Sequence, residues 1–243
     1  MANSFEGICR REGPMIRDLL IELMLIPGLS GHEDRVAKAI AAHLDRLGLS
    51  HRSDRLGNLI CTIPGDPDLP SVMIFTHMDQ LGFIVRKIEA NGLIRLERLG
   101  GVPERALAAQ AVTLCTDQCD LPGVIANKSH HATGPEEKYK VLPYAELYVD
   151  AGFASADEAR AAGVKIGTPV TYKPRAMPLA GGRIAGTSID DRAGCAALLA
   201  LAAARKAKPG PTLHLVWSVQ EEYNLRGVLP AATALQPDIA LQI

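Results

Sequence analysis

Three pairs of residues in this 243-residue chain have the types and spacing to do metal chemistry. His77 and Asp79 form a His-x-Asp step in Thr76-His77-Met78-Asp79. Asp190 and Asp191 are adjacent in Gly186-Thr187-Ser188-Ile189-Asp190-Asp191, and Glu221 and Glu222 are adjacent after Gln220. An imidazole can bind a divalent ion through one ring nitrogen while a nearby carboxylate holds the other N–H and sets the tautomer. Carboxylates crowded together repel one another unless a cation lies among them. His with carboxylates is a ligand set suited to zinc or a similar ion. Two ions would need a bridging carboxylate, and Asp190 is placed for that. Each pair also has a plain structural reading. His77 and Asp79 can be polar residues at a strand end, and Asp190 or Asp191 can cap the helix that follows.

The elements that must carry these pairs are legible. Val72-Met73-Ile74-Phe75 is a short apolar run, the pattern of a strand in a sheet covered on both faces, and it ends at His77. Residues 212–219 form a second buried-strand run that ends at Gln220-Glu221-Glu222, with His214 read as a satisfied core histidine. An extended stretch over 182–186 leads into the Asp pair. An Ala/Leu-rich helix then runs from about Arg192 to about Lys208, stopped by Pro209-Gly210. Ligands of open α/β sheets bind outside the carboxyl ends of strands. If the three ends lie side by side, one histidine and several carboxylates share one crevice.

Upstream, residues 15–25 predict a helix with Leu19, Leu20, Leu23 and Met24 on its apolar face, ended by Pro27-Gly28. Ser30 and Glu33 match a capping box for a second helix bearing Val36, Ile40, Leu44 and Leu47. His32 and His43 read as solvent-facing. A strand pair around Gly57-Asn58 follows, with Leu59–Ile63 as a buried run.

The pattern changes over 80–175. Phe83–Ile88 and Leu93–Leu96 flank Asn91-Gly92, a hairpin signal. Short strand-like runs recur at 111–115, 123–126, 147–149 and 170–172. One short helix begins at a second capping box, Ser155 to Glu158. This stretch reads as a β-rich domain inserted into an α/β domain made of 1–79 and 176–243. His130 and His131 fall in a polar segment over 129–140, read as a solvated loop.

Composition narrows the function classes. Twenty-six Lys and Arg against 27 Asp and Glu give a net charge of −1, with the signs interspersed. That balance leaves no footprint for nucleic acid or a membrane surface. Residues 1–17 hold no long apolar run, so neither a signal peptide nor a transmembrane segment is expected there. The five cysteines are scattered and read as reduced thiols of a cytoplasmic protein.

Three motifs in this order, T-H-M-D-Q-L-G-F at 76–83, G-T-S-I-D-D-R-A-G at 186–194 and Q-E-E-Y-N-L-R-G at 220–227, resemble those of the dinuclear-metal glutamyl/deblocking aminopeptidases that build tetrahedral particles. G-V-I-A-N-K at 123–128 and L-Y-V-D-A-G at 147–152 extend the resemblance to nearly the whole chain. It implies a three-layer αβα zinc-peptidase domain of the phosphorylase/hydrolase type, interrupted by a PDZ-like domain that mediates oligomerisation, from a dimer up to a tetrahedral dodecamer. The cofactors implied are two divalent ions, zinc with cobalt as the variant. His77 would bind one ion, Glu222 the other, and Asp190 both, with a cis peptide bond to Asp191. Glu221 would be the general base and Asp79 would orient His77. The implied reaction removes N-terminal residues from peptides with a water activated between the ions.

The resemblance also implies an aspartate ligand one position after Ile243 and a later histidine. Two expectations follow. Either the sequence is part of a longer aminopeptidase, or a chain of this length holds metal poorly. The alternatives are a related amidohydrolase, of deacylase or carboxypeptidase type, and an inactive oligomerisation or regulatory homologue. A glycan hydrolase ranks lower, since no separated carboxylate pair marks a sugar site.

Overall fold

The computed structural model describes residues 16–205 and 210–243. The expectations for 1–15 lie outside them, and the Ala/Leu-rich helix expected to reach about Lys208 ends at Ala204, with Arg205 already out of helical geometry. Two helices come first, α1 (Ile16–Met24) and α2 (Asp34–Arg46), then three strands, β1 (Arg52–Ser53), β2 (Leu59–Ile63) and β3 (Val72–His77). A β-rich stretch follows with β4 (Gly82–Ile88), β5 (Ile94–Leu99), β6 (Ala111–Cys115), β7 (Asp120–Ala126), β8 (Tyr148–Asp150), α3 (Ala156–Ala161) and β9 (Pro169–Tyr172). The chain returns through a two-stranded ribbon of β10 (Ala176–Pro178) and β11 (Ile184–Gly186). It closes with α4 (Ile189–Ala204), β12 (Leu213–Ser218), α5 (Val228–Leu235) and β13 (Ile239–Gln242). The result is a mixed α/β fold.

The main sheet has the order β1-β2-β12-β3-β13. Strands β12 and β13 run parallel to β3, and β2 runs antiparallel to β12. Alternate residues of a strand face opposite sides, and the packing follows that rule. Leu59 and Cys61 of β2, with Leu215 and Trp217 of β12, join Leu19, Leu23, Val36, Ile40, Leu44 and Leu198 from α1, α2 and α4. Ile60 and Val216 face the other way and meet Val228 and Ala231 of α5. The apolar runs exist because the central strands are covered on both sides. Each fully buried Leu, Ile or Val contributes roughly 1.5–3 kcal/mol by leaving water.

Strands β4 to β9 close into a barrel in the order β4-β5-β8-β7-β6-β9. Its interior holds Phe83, Val85, Ile94, Leu96, Val112, Leu114, Ile125, Val149 and Val170, again at alternate positions. The Asn91-Gly92 hairpin joins β4 to β5 through a turn wider than two residues: Glu89 and Leu93 pair across it, and the Gly92 N–H donates to the Glu89 carbonyl at 2.9 Å. Gly92 has φ +85° and its Cα side faces the Phe153 carbonyl, which a Cβ would meet at 2.3 Å. At the start of α3 the Ser155 Oγ accepts the Glu158 N–H at 3.2 Å, as a capping box requires.

The structure corrects three expectations. Ser30 does not cap α2: its Oγ is buried with no partner, and Glu33, the residue before the helix, points its carboxylate elsewhere. His43 is 8% exposed, bound between Glu22 at 3.0 Å and Arg46 at 2.8 Å, because helix α2 turns that face onto α1. His214 is half-buried near the rim of the sheet and pairs with Thr62 at 3.0 Å. Helix α5, whose small apolar residues carry a weak periodic signal, is absent from the sequence reading.

Candidate functional site

The parallel register of β3 and β12 sets His77 opposite Ser218. The residues leaving the two strands, Met78-Asp79 and Val219 to Glu222, therefore run out side by side at the carboxyl edge of the sheet. Helix α4 enters from the same edge. Its first turn is irregular: Ser188 has φ +61°, Asp190 and Asp191 are outside helical geometry, and the bond between them is cis.

That geometry divides the work of the two aspartates. Asp191 turns inward, where its Oδ1 accepts the Gly194 N–H at 2.9 Å and its Oδ2 accepts the Thr76 hydroxyl. It is the helix cap. Asp190 projects outward, its side chain 85% exposed, and its Oδ1 stands 3.1 Å from His77 Nε2. The Glu221 carboxylate is 3.8 Å from the same nitrogen. On the other ring edge, His77 Nδ1 lies 3.2 Å from the Asp79 carbonyl and 3.4 Å from its Oδ1.

Asp79 is fully buried and its second task is to hold the glutamates. Its Oδ1 accepts the Glu221 N–H at 2.9 Å and its Oδ2 the Glu222 N–H at 3.0 Å. The sequence reading missed a third member of this arrangement. Glu33, 5% exposed, accepts the Gln220 N–H at 2.9 Å and the Gly31 N–H at 2.8 Å, both on Oε1. Three successive amides thus end on two buried carboxylates. Nothing local in the sequence points to the Glu33 contact, since 187 residues separate the partners. Arg192, also fully buried, sits within reach of both charges and donates weakly to Gln80 and the Ile26 carbonyl at 3.4 Å.

The electrostatics record the crowding. Burial alone would lower the His77 imidazole, but the hydrogen bond and charge of Asp79, with Glu221 and Asp191 adding to them, bring it to about 9. Burial would raise Asp79, yet His77 and the two backbone N–H groups outweigh it and hold its carboxyl low. Burial pushes Glu222 up to about 6; His77 opposes that, while Glu221, Asp79 and Asp190 add to it. The Cys195 thiol, pushed up to about 12 by burial, is an inert packing group that contacts the His77 carbonyl at 3.2 Å.

His77, Asp79, Asp190 and Glu221 are therefore gathered at one sheet edge, and Glu222 is held beside them through Asp79. Among the described residues, no three His, Cys, Asp or Glu side chains converge closely enough to hold a metal ion by themselves. His130 and His131 are exposed in the segment between β7 and β8, with their rings 5.7 Å apart.

With that geometry in view, comparison with known proteins is decisive. A model of the M42 glutamyl aminopeptidase family matches residues 57–243. The chain belongs to this family. Protein SgcX of Escherichia coli (strain K12) is 38% identical over 231 residues, covering 94% of this chain and 62% of its own length. The lysyl aminopeptidase of Pyrococcus furiosus is 29% identical over 226 residues, 92% of this chain and 64% of its own. Among solved structures, the TET1 peptidase of Pyrococcus horikoshii superposes with a TM-score of 0.87 at 28% identity, over 94% of this chain and 68% of that one. The chain spans less than two thirds of the length of SgcX and of the lysyl aminopeptidase. No helix among the described residues is long and apolar enough to cross a membrane.

Proposed function

We propose that this chain carries the core of a metal-dependent aminopeptidase site that removes N-terminal residues from peptides. The observation that carries the reading is the meeting of His77 Nε2 and Asp190 Oδ1 at 3.1 Å, with Glu221 at 3.8 Å and both glutamate amides anchored on Asp79. Family membership supports it. The donor chemistry fits a divalent ion. One ring nitrogen faces an exposed carboxylate, and burial raises the Glu222 carboxyl, with the charges of Glu221, Asp79 and Asp190 adding to it. The shell within the described residues is incomplete, so further donors must join it.

His77, Asp190 and Glu222 would hold divalent ions, zinc or cobalt. Such ions supply a water of lowered pKa and polarise the scissile carbonyl. With an ion bound, Asp79 would hold the Nδ1–H of His77 inward and leave Nε2 to present its lone pair. Glu221, half-exposed and fixed by its own N–H, would take the proton of the attacking water and return it to the leaving amine.

In this reading 1–79 and 176–243 form a three-layer αβα catalytic unit, and 80–175 a PDZ-like insert. The insert would serve homo-oligomerisation, from a dimer to a tetrahedral dodecamer. The TET1 neighbour, described as assembling into a tetrahedron or a large octahedral shell, supports this. The cytoplasm suits the four described cysteines, which are all free.

The test is hydrolysis of a panel of aminoacyl-p-nitroanilides with zinc or cobalt, beside N-acetylated counterparts. Cleavage of free-amine substrates alone is expected. Cleavage of the acetylated set, or of neither by a form of the protein that supplies the further donors, would reject the aminopeptidase reading.

A further inference from the structure

Glu33 occupies the position of a capping residue and does not cap. The residue stands just before α2, yet its side chain makes no bond to that helix. It bends instead toward the site edge and accepts the Gln220 N–H at 2.9 Å and the Gly31 N–H at 2.8 Å. Its environment is enclosed: Glu33 is 5% exposed.

Gln220 is a residue that needs holding. Its φ is +54°, in the left-handed region that side-chain-bearing residues rarely adopt. That turn sets the direction in which Glu221 and Glu222 leave β12. The following amides are taken by Asp79, at 2.9 and 3.0 Å. The turn is closed behind by the Arg226 N–H on the Gln220 carbonyl at 3.1 Å and the Leu225 N–H on the Glu221 carbonyl at 3.0 Å. Glu33 is the acceptor on the first amide, and it comes from a different part of the chain than β3 or β12.

We propose that Glu33 is a positioning residue, which fixes the Gln220 turn and through it the aim of the Glu221 carboxylate. The inference rests on the aminopeptidase reading for its consequence in catalysis, but not for the anchoring itself. The side chain does not touch substrate or metal. It acts through one backbone N–H, so an uncharged acceptor of the same length should serve. Burial pushes the Glu33 carboxyl up to about 7, so a neutral side chain is already close to one of its natural states.

Three variants of the full chain separate the possibilities: Glu33→Gln keeps length and acceptor, Glu33→Asp keeps charge but withdraws the oxygen, and Glu33→Leu removes both. The readouts are amide hydrogen exchange at Gln220 and the split of kcat and KM on the best aminoacyl-p-nitroanilide. Glu33→Asp and Glu33→Leu are expected to speed Gln220 exchange at least tenfold and lower kcat about tenfold, with KM moving less than threefold. Glu33→Gln is expected to restore both. If Glu33→Leu does not fold, Glu33→Asp carries the test. Unchanged exchange in Glu33→Asp, or a Glu33→Gln variant as impaired as Glu33→Asp, would overturn the proposal. If the parent, in a form that supplies the further metal donors, cleaves no substrate, the aminopeptidase reading fails, and exchange alone decides whether Glu33 anchors the turn.

Discussion

His77 Nε2 lies 3.1 Å from Asp190 Oδ1 although 113 residues separate them. The contact joins the end of β3 to the irregular first turn of α4. It places an imidazole that Asp79 has already oriented against the one aspartate that the helix cap leaves free. Substituting either partner should weaken the site's hold on a cation. Asp190→Asn is expected to weaken zinc or cobalt binding, followed by isothermal titration, by at least tenfold to a hundredfold. The melting temperature should barely move, because the side chain is 85% exposed.

Asp79 should behave in the opposite way. It is fully buried, pairs with His77 and accepts two backbone N–H groups. Asp79→Ala leaves an imidazole and two amides without their acceptor. A loss of about 3–5 kcal/mol is expected in urea unfolding, the usual cost of breaking a buried pair from one side. A variant as stable as the parent would show that Asp79 is not what anchors Glu221 and Glu222.

Gly194 is a position where bulk is costly. A Cβ there would stand 2.5 Å from both Asp191 Oδ2 and Thr76 Oγ1. Gly194→Ala must therefore push the Asp191 carboxylate off its capping position. The expected loss is about 1–3 kcal/mol, which combines crowding with a lost cap. Denaturant midpoints of Gly194→Ala and Asp191→Ala, separately and together, check it: the two effects should be far from additive.

Glu33 supplies a pH dependence of stability. Its carboxyl rises from 4.5 to about 7 on folding, mainly through burial. The folded chain thus binds this proton more tightly than the unfolded chain does. The contribution is complete below about pH 4.5 and is lost as the pH climbs through about 7. Glu33→Gln removes the titration, so the stability of variant minus parent should grow over that window, by up to about 3 kcal/mol. A difference that stays flat from pH 4.5 to 7.5 would refute it.

Metal retention follows from the incomplete convergence of donors among the described residues. The 243-residue chain is expected to lose added zinc on desalting. Elemental analysis showing two tightly held ions per chain would contradict that expectation.

Much of this was legible along the chain. Two apolar runs ending in His77 and in Glu221-Glu222 announced central strands with polar exits, and the Asp pair announced a helix entrance. Alternation in the 80–175 stretch announced strands, and Ser155 announced its own cap. These signals are local: each depends on residues within one turn or one strand. Ser30 and Glu33 carried the same local signal and it misled, because a stronger demand came from the Gln220 amide 187 positions away. His43 read as a surface residue because its partner, Glu22, lies on another helix.

The sequence by itself determined the residue types at the site, the strands that end there and the family pattern that links them. The sequence pattern pointed to Asp190, but how Asp190 comes to face His77 depends on the tertiary structure, where α4 begins with Asp191 turned onto Thr76. Only it decided that Glu33 and Asp79 divide three successive amides between them. Hydrogen-bond partners are chosen by proximity after folding, and proximity across a sheet edge is set by strand register, which no single stretch of sequence contains.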